Sequence, residues 1–192
     1  IIGAGLAGSE AAWQAAERGV PVVLYEMRSV SHTAAHKTDG CAELVCSNSL
    51  GNNLPHSAPY ILKEELRSFN SIVISSGDRN SVPAGSALAV DRDLFSQEIT
   101  EKISSHPLIT LKRQEIVEIP ESGPVIIATG PLTSPKLSEE ISRLIGQEYL
   151  YFYDALSPIV DANSIDYDKA FFASRYGKGD ADYLNCPMNE KQ

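Results

Sequence analysis

The sequence lacks the features that mark several classes of protein. It has only three cysteines in 192 residues and no CxxC pair, which argues against a disulfide framework or a structural zinc site and favours a reducing, cytoplasmic environment. Basic residues are few: 16 Lys and Arg against 25 Asp and Glu give a formal charge of −9, whereas a nucleic-acid surface is normally basic. No run of about 18 apolar residues occurs, so we expect no membrane span.

A glycine-rich turn opens the chain. It follows two isoleucines, precedes a helix predicted over Leu6–Arg18, and leads to a second apolar strand at Val22–Tyr25. Glu26 follows that strand at the spacing typical of an acid that binds a ribose. The order strand, glycine turn, helix, strand is the start of a Rossmann-like α/β unit, whose turn and helix N-terminus bind a dinucleotide pyrophosphate. The candidate binding residues in the turn are Gly3, Ala4, Gly5, Leu6, Ala7 and Gly8.

The glycine turn alone does not distinguish NAD from FAD. A second feature favours FAD: an apolar run at 125–128 ends in the small turn Ala128, Thr129 and Gly130. In flavoproteins that bind two dinucleotides, a strand ending in such a turn passes beside the cofactor, where small residues allow close backbone approach. A plain turn at the end of a strand is the alternative for this segment taken alone.

The middle of the chain alternates predicted helices and strands around one long irregular stretch, residues 28–58. A helix is expected near Ile61–Phe69, with a possible continuation to Ile74. Further predictions are a strand at Ala87–Val90, a helix from the Asp91 cap to Ser105, strands at Leu108–Leu111, Ile116–Ile119 and Val125–Ala128, and a helix between Pro135 and Gly146.

Cys46 is the candidate catalytic residue. It lies in the long irregular stretch among Ser and Asn neighbours, where backbone donors could stabilise a thiolate, although an inert packing cysteine is the more common case. Cys41 and Cys186 are expected only to pack. His32 and His36 lie four residues apart but outside any helical pattern, so no metal site is predicted.

Several stretches together resemble one family: GAGLAGSEAAWQ, LYEMR, ELVCSNSL, VPAGSALAVDR, IATGPLTS, YLYFYDA, SPIV and ADYLNCPM. They are similar to the folate- and FAD-dependent tRNA (uracil-5-)-methyltransferases, TrmFO, also called the small form of GidA. The resemblance runs through essentially the whole chain. ELVCSNSL, followed by IATGPLTS and YLNCPM in that order, is far more specific than the glycine turn.

The resemblance implies a function that composition and spacing do not. Members methylate C5 of a T-loop uridine in tRNA, with a one-carbon unit from 5,10-methylenetetrahydrofolate and with FAD that NAD(P)H reduces. Gly3–Gly8 would hold the pyrophosphate, Glu26 the ribose, and Ala128–Gly130 the other side of the cofactor. Cys46 matches one of two catalytic cysteines, of which one adds to uracil C6 and the other assists proton removal from C5. The resemblance does not say which role is that of Cys46.

The resemblance also predicts a domain organisation. Family members are more than twice as long, so we expect an N-terminal fragment, inactive alone, of a two-dinucleotide flavoprotein with an inserted smaller region and a missing C-terminal part. Residues 1–148 would form the incomplete FAD-binding domain, and 149–192 would begin the inserted or substrate domain. The alternatives are a larger GidA-type tRNA-modifying flavoprotein, a generic NAD(P)H-dependent flavin oxidoreductase, and a truncated domain that only folds.

Overall fold

The structure is a computed structural model that describes residues 1–31, 33, 35–146, 160–175 and 178–189. The predicted boundary at 148/149 and the aromatic run Tyr151–Tyr153 lie outside the described residues. No helix in the described part of the chain is long and apolar enough to cross a membrane. The elements are α1 (Leu6–Ala16), β1 (Val22–Glu26), β2 (Ser49–Asn52), α2 (Ala58–Ser68), α3 (Ile72–Arg79), β3 (Ser81–Val82), β4 (Ala87–Val90), α4 (Arg92–Ser105), β5 (Ile109–Arg113), α5 (Pro135–Ile145), β6 (Phe171–Arg175) and β7 (Lys178–Asn185).

A parallel sheet positions the glycine turn. β1 pairs with β5 in parallel, from Val22 opposite Ile109 to Glu26 opposite Arg113. On the other side of β1, Ile2 forms parallel bridges with both Tyr25 and Ile127. Across the sheet the order is therefore β5, β1, the Ile2 position and the Ile127 position. Numbered by their order along the chain, these are the third, second, first and fourth. The direction of winding reverses beside Ile2, and such a reversal opens a crevice at the carboxyl ends of the strands where α/β proteins bind ligands.

Small residues let α1 lie close to this sheet, as the alanine-rich sequence predicts. Ala12 and Ala16 are buried on its inner face and Leu24 of β1 lies beneath them in the same cluster. α4 supplies the large side chains of the core from one stripe at four-residue spacing, the arrangement expected of an amphipathic helix. The buried residues of this stripe are Phe95, Ile99 and Ile103.

The segment between β1 and β5 contains more structure than the sequence predicts. The sequence predicts no regular element in 28–58, but β2 lies within this stretch and pairs antiparallel with β4, which also pairs with β3. The short, glycine-interrupted β2 has little pattern of its own, and its partner is distant in sequence. The helix near Ile61–Phe69 does not continue to Ile74: α3 is a separate helix with Ser71 as its N-cap.

Local capping signals were reliable. Asp91 caps α4 by accepting hydrogen bonds from the N–H groups of Asp93 and Leu94, both at 3.0 Å. Pro135 begins α5, and Gly146 follows its last residue in the left-handed conformation. Both helices therefore begin and end within one residue of the predicted positions.

Of the strand predictions, 116–119 was wrong and 125–128 was too long. Residues 116–119 form no strand, because an alternating pattern needs a neighbouring strand and the described residues provide none there. In the run 125–128 only Ile127 forms a bridge. In that bridge the N–H of Ile2 donates to the carbonyl of Ile126 and the N–H of Ala128 donates to the carbonyl of Ile2, both at 2.8 Å. Near the end of the chain, β6 and β7 form an antiparallel hairpin.

A carboxylate between α3 and α4 is expected to make stability depend on acid pH. Burial raises the pKa of Glu98, but hydrogen bonds from Arg79, Lys102 and Asn80 lower it by more. The resulting pKa is about 2, compared with a usual 4.5. Because the folded-state pKa is lower, this stabilisation is complete above pH 4.5 and is lost as pH falls towards 2. Urea unfolding should show Glu98→Gln destabilised by about 1 kcal/mol or less at pH 7, since solvent screens the pair. The difference should shrink at pH 3, and an equal difference at both pH values would contradict this assignment.

Candidate dinucleotide site

The glycine turn is folded by close contact between backbone atoms. A Cβ atom on Gly8 would lie 1.7 Å from the carbonyl oxygen of Gly3, and a Cβ on Gly3 would lie 2.7 Å from the carbonyl oxygen of Ala128. Gly3 also has φ +96°, which side-chain-bearing residues rarely adopt. Gly5 is different, because a Cβ there would meet no atom within 4 Å. Two glycines therefore close the turn and the third leaves space in front of it.

The N-terminus of α1 faces that space. The N-cap is Gly5, which has no side chain to cap the helix, and the first turn contains no acidic residue. The first N–H groups of a helix have no partner within the helix. Together with the partial positive charge of the helix N-terminus, they make a site for an anion such as a pyrophosphate.

Glu26 holds the turn from the end of β1. Its Oε2 accepts a hydrogen bond of 2.9 Å from the N–H of Ala4, and its Oε1 accepts bonds from the N–H and Nε of Arg28 at 3.1 and 2.8 Å. Burial raises the pKa of Glu26, but the bonds from Arg28 and Ala4 lower it overall, so the carboxylate is charged at neutral pH. A carboxylate oxygen can accept two hydrogen bonds, so Oε2 retains capacity for a ligand hydroxyl while Oε1 has both bonds from Arg28.

One cavity of about 450 Å³ joins the predicted cofactor residues to the predicted catalytic residue. Ala4 and Gly8 do not line the cavity themselves: Ala4 is fully buried and Gly8 packs against Gly3. The other predicted residues line the cavity: Gly3, Gly5, Leu6, Ala7, Glu26, Cys46, Ala128, Thr129 and Gly130. The structure thus brings together residues up to 127 positions apart, from Gly3 to Gly130.

The other two cysteines do not line this cavity, whereas His36 of the pair His32 and His36 does. Cys41 is completely buried in the core, and burial raises the pKa of its thiol. Cys186 is exposed just after β7. His36 lines the cavity and its Nδ1 lies 2.6 Å from the hydroxyl of Thr33, whereas His32 is outside the described residues.

Sequence reasoning missed two charged residues of the site. Arg28 is 2% exposed and joins Glu26 to Glu43, whose Oε2 accepts a bond of 2.9 Å from Arg28 Nη1. Both acids and Arg28 line the cavity. Arg28 lies in LYEMR and Glu43 in ELVCSNSL. A charged residue in an irregular stretch is normally predicted to be exposed to solvent, and its partner cannot be identified from the sequence.

The arrangement fits a dinucleotide. The space in front of Gly5, the donors of α1, the acceptor on Glu26 and the small turn at Ala128–Gly130 are the features that bind a pyrophosphate and its ribose. The lining is mainly apolar apart from these groups, as is usual in cofactor sites. An exposed thiol, Cys46, lies in the same cavity.

Comparison with known proteins shows the family to which the chain is similar. A sequence profile of the family described as glucose inhibited division protein A matches residues 1–192. Three similar proteins bear the name methylenetetrahydrofolate–tRNA-(uracil-5-)-methyltransferase TrmFO, from Enterococcus faecalis, Listeria innocua and Halalkalibacterium halodurans. They are 64%, 62% and 60% identical over 192 residues, which is 100% of this chain and 44% of each relative. The chain therefore spans less than half the length of these relatives.

Proposed function

This chain belongs to the glucose inhibited division protein A family, and we propose that it supplies the FAD-binding and cysteine-bearing part of a tRNA methyltransferase. The reaction is transfer of a one-carbon unit from 5,10-methylenetetrahydrofolate to C5 of a T-loop uridine, which forms 5-methyluridine. The relatives' name states the folate, the tRNA and the uracil position. The observation that carries the proposal is the single cavity shared by the glycine turn and Cys46.

We assign the cofactor residues as follows. The N–H groups at the start of α1 bind the pyrophosphate of FAD, and Glu26 accepts a ribose hydroxyl on its Oε2. The turn Ala128–Gly130, which lines the same cavity, would hold the other side of the cofactor. The donated unit is a methylene and the product is a methyl, so the reaction needs two electrons, which FAD reduced by NAD(P)H supplies when bound.

Cys46 takes part in the reaction at the uracil ring. Carbon 5 of uracil is a poor nucleophile, but addition of a thiolate at C6 makes it electron-rich enough to attack a one-carbon unit. A second thiol can then accept the proton from C5, which restores the ring when the first cysteine leaves. Cys46 takes one of these two roles.

The fold supports a flavoprotein of the two-dinucleotide type. Its parallel sheet has the third, second, first, fourth order of a Rossmann unit, and the cavity lies where that order reverses. We propose that residues 1–148 are the FAD domain, that 149–192 begin an inserted domain, and that the enzyme acts in the cytoplasm. The family name also fits a larger GidA-type enzyme, but the names of the relatives favour methyl transfer.

A covalent trap tests the proposed function in the complete protein. tRNA that contains 5-fluorouridine, incubated with FAD, NADPH and methylenetetrahydrofolate, is expected to form an adduct that survives denaturing electrophoresis, because fluorine at C5 cannot leave as a proton does. Unsubstituted tRNA is the control and should give no stable adduct. The proposal fails if the fluorinated tRNA gives no adduct either. Loss of the adduct in Cys46→Ala would identify Cys46 as the nucleophile, and its persistence would identify it as the proton acceptor.

A further inference from the structure

A line of charged side chains connects the glycine turn to the residues around Cys46. Arg28 is at its centre, with Nε 2.8 Å from Glu26 Oε1 and Nη1 2.9 Å from Glu43 Oε2. Glu26 continues the line to the turn through the N–H of Ala4. Arg28 is 2% exposed, so water does not compete for these bonds.

Glu43 organises the backbone around Cys46. Its Oε1 accepts a bond of 2.8 Å from the N–H of Lys37, and its Oε2 accepts bonds from the N–H and hydroxyl of Thr38 at 3.3 and 3.0 Å. We call residues 36–48 the Cys46 segment. Glu43 is three residues before Cys46, so one carboxylate joins the beginning of the segment to its reactive part.

The segment has further attachments to the fold. The N–H of Cys41 donates to Thr100 Oγ1 at 2.8 Å, and the carbonyl of Cys41 accepts a bond of 2.7 Å from the hydroxyl of Ser96. The N–H of Ala42 donates to the carbonyl of Ala4 at 2.8 Å. Asn48 exchanges bonds with the backbone of Val90, with its Nδ2 3.0 Å from the Val90 carbonyl. These contacts hold positions 41, 42 and 48, whereas the Glu43 carboxylate draws Lys37 and Thr38 towards Arg28. The line of charges therefore adds a second attachment directed at the cofactor residues, beside the bond from Ala42 to Ala4.

A gain in stability does not explain why three charged side chains are buried at this place. Removing charges from water is unfavourable, and apolar residues of similar volume often stabilise a core equally well. Burial raises the pKa of Glu43, yet the bonds from Lys37 and Thr38 lower it overall, so Glu43 is ionised at neutral pH and attracts Arg28. Glu98 is a comparable carboxylate with three cationic or amide partners, but it lies between α3 and α4, away from the cavity.

We infer that Arg28 and Glu43 are positioning residues that tie the Cys46 segment to the glycine turn, so that the thiol keeps a defined place beside the bound cofactor. The inference rests on the proposed function only in that Cys46 is the reactive group being placed. Arg28 and Glu43 act through backbone and carboxylate contacts and take no part in the chemistry. Their effect should therefore be larger on turnover than on cofactor affinity.

Glu43→Ala is the sharpest test, because Arg28 keeps its partner Glu26 and no buried charge is left alone. Without nucleotide, hydrogen exchange of the complete protein should be about tenfold faster in peptides from residues 36–48, while α1 and α4 remain as in the native protein. Glu43→Gln, which keeps one acceptor oxygen, should give an intermediate rate. Glu98→Ala is the matched control and should leave the Cys46 segment unchanged.

Enzyme kinetics separate positioning from binding. In Glu43→Ala, we expect kcat for methyl transfer to fall at least about thirtyfold while the Kd for FAD changes by less than about threefold. Glu43→Gln should recover part of the lost kcat. Arg28→Lys provides a second variant, since a lysine cannot hold both carboxylates in the fixed geometry of a guanidinium.

Three outcomes would overturn the inference. One is native exchange of the Cys46 segment in Glu43→Ala. Another is faster exchange throughout α1 and α4, with the buried Cys41 becoming open to alkylation, which would mean that the line of charges holds the whole fold. The third is a fall in FAD affinity as large as the fall in kcat. The exchange measurement needs no cofactor, so it decides the positioning of the segment even if the wild-type protein fails to bind FAD or to methylate tRNA.

Discussion

Cys46→Ala is expected to reduce methyl transfer by the complete protein at least about a thousandfold while changing the Kd for FAD by less than about threefold. The thiol either adds to the uracil or accepts its proton, and a methyl group does neither. The thiol lies in the cavity but contributes none of the donors proposed for the pyrophosphate. Release of tritium from C5 of labelled tRNA measures the loss of chemistry, and flavin fluorescence measures cofactor binding.

Cys186 supplies the matched control for this experiment. It is also exposed, but it lies beyond β7 and does not line the cavity. Cys186→Ala is expected to keep turnover within about twofold of native, as surface substitutions away from a site usually do. Native turnover in Cys46→Ala would remove Cys46 from the mechanism. An equal loss in both variants would point to general thiol damage rather than to a role for Cys46.

Gly8→Ala is expected to damage the fold itself. Its Cβ would lie 1.7 Å from the carbonyl oxygen of Gly3, so either α1 must move off the sheet or the turn must open. Overpacking of this kind, against backbone atoms that cannot rotate away, should cost about 3 kcal/mol or more. Urea unfolding of the cofactor-free protein measures this loss. A native free energy of unfolding would show that the turn is not closed by this contact.

Gly5→Ala separates cofactor binding from folding. Gly5 has φ −69° and ψ −167°, which alanine adopts readily, and its Cβ would meet no protein atom within 4 Å. Stability is therefore expected within about 1 kcal/mol of native, the difference between glycine and alanine at an N-cap. The added methyl would occupy the space proposed for the pyrophosphate, so FAD affinity should fall at least about thirtyfold. Native FAD affinity in Gly5→Ala would place the cofactor elsewhere.

The contrast between these two glycines shows what the sequence could and could not predict about the site. GxGxxG predicts a turn that opens a helix, and the structure has that turn. Contact distances were needed to see that Gly8 faces the carbonyl of Gly3 while Gly5 faces the cavity. The placement of Cys46 in the same cavity depends equally on packing, because Cys46 lies in a stretch without any period.

Local signals and long-range pairing account for the remaining successes and errors. Asp91, Pro135 and Gly146 predicted the ends of α4 and α5 because caps act within one turn of a helix. Residues 116–119 looked like a strand by alternation but have no partner in the described part of the chain, and β2 was missed because its partner β4 is about forty residues away.

The sequence by itself determined the glycine turn, the helix that follows it, the acid after β1, and the motif around Cys46, since each is a short-range pattern of residue types. Only the tertiary structure decided that Arg28 and Glu43 join these parts. A charged residue in an irregular stretch has no preferred partner until folding removes water and brings an opposite charge within hydrogen-bond distance. The connection between the cofactor residues and the Cys46 segment is therefore a property of the folded chain.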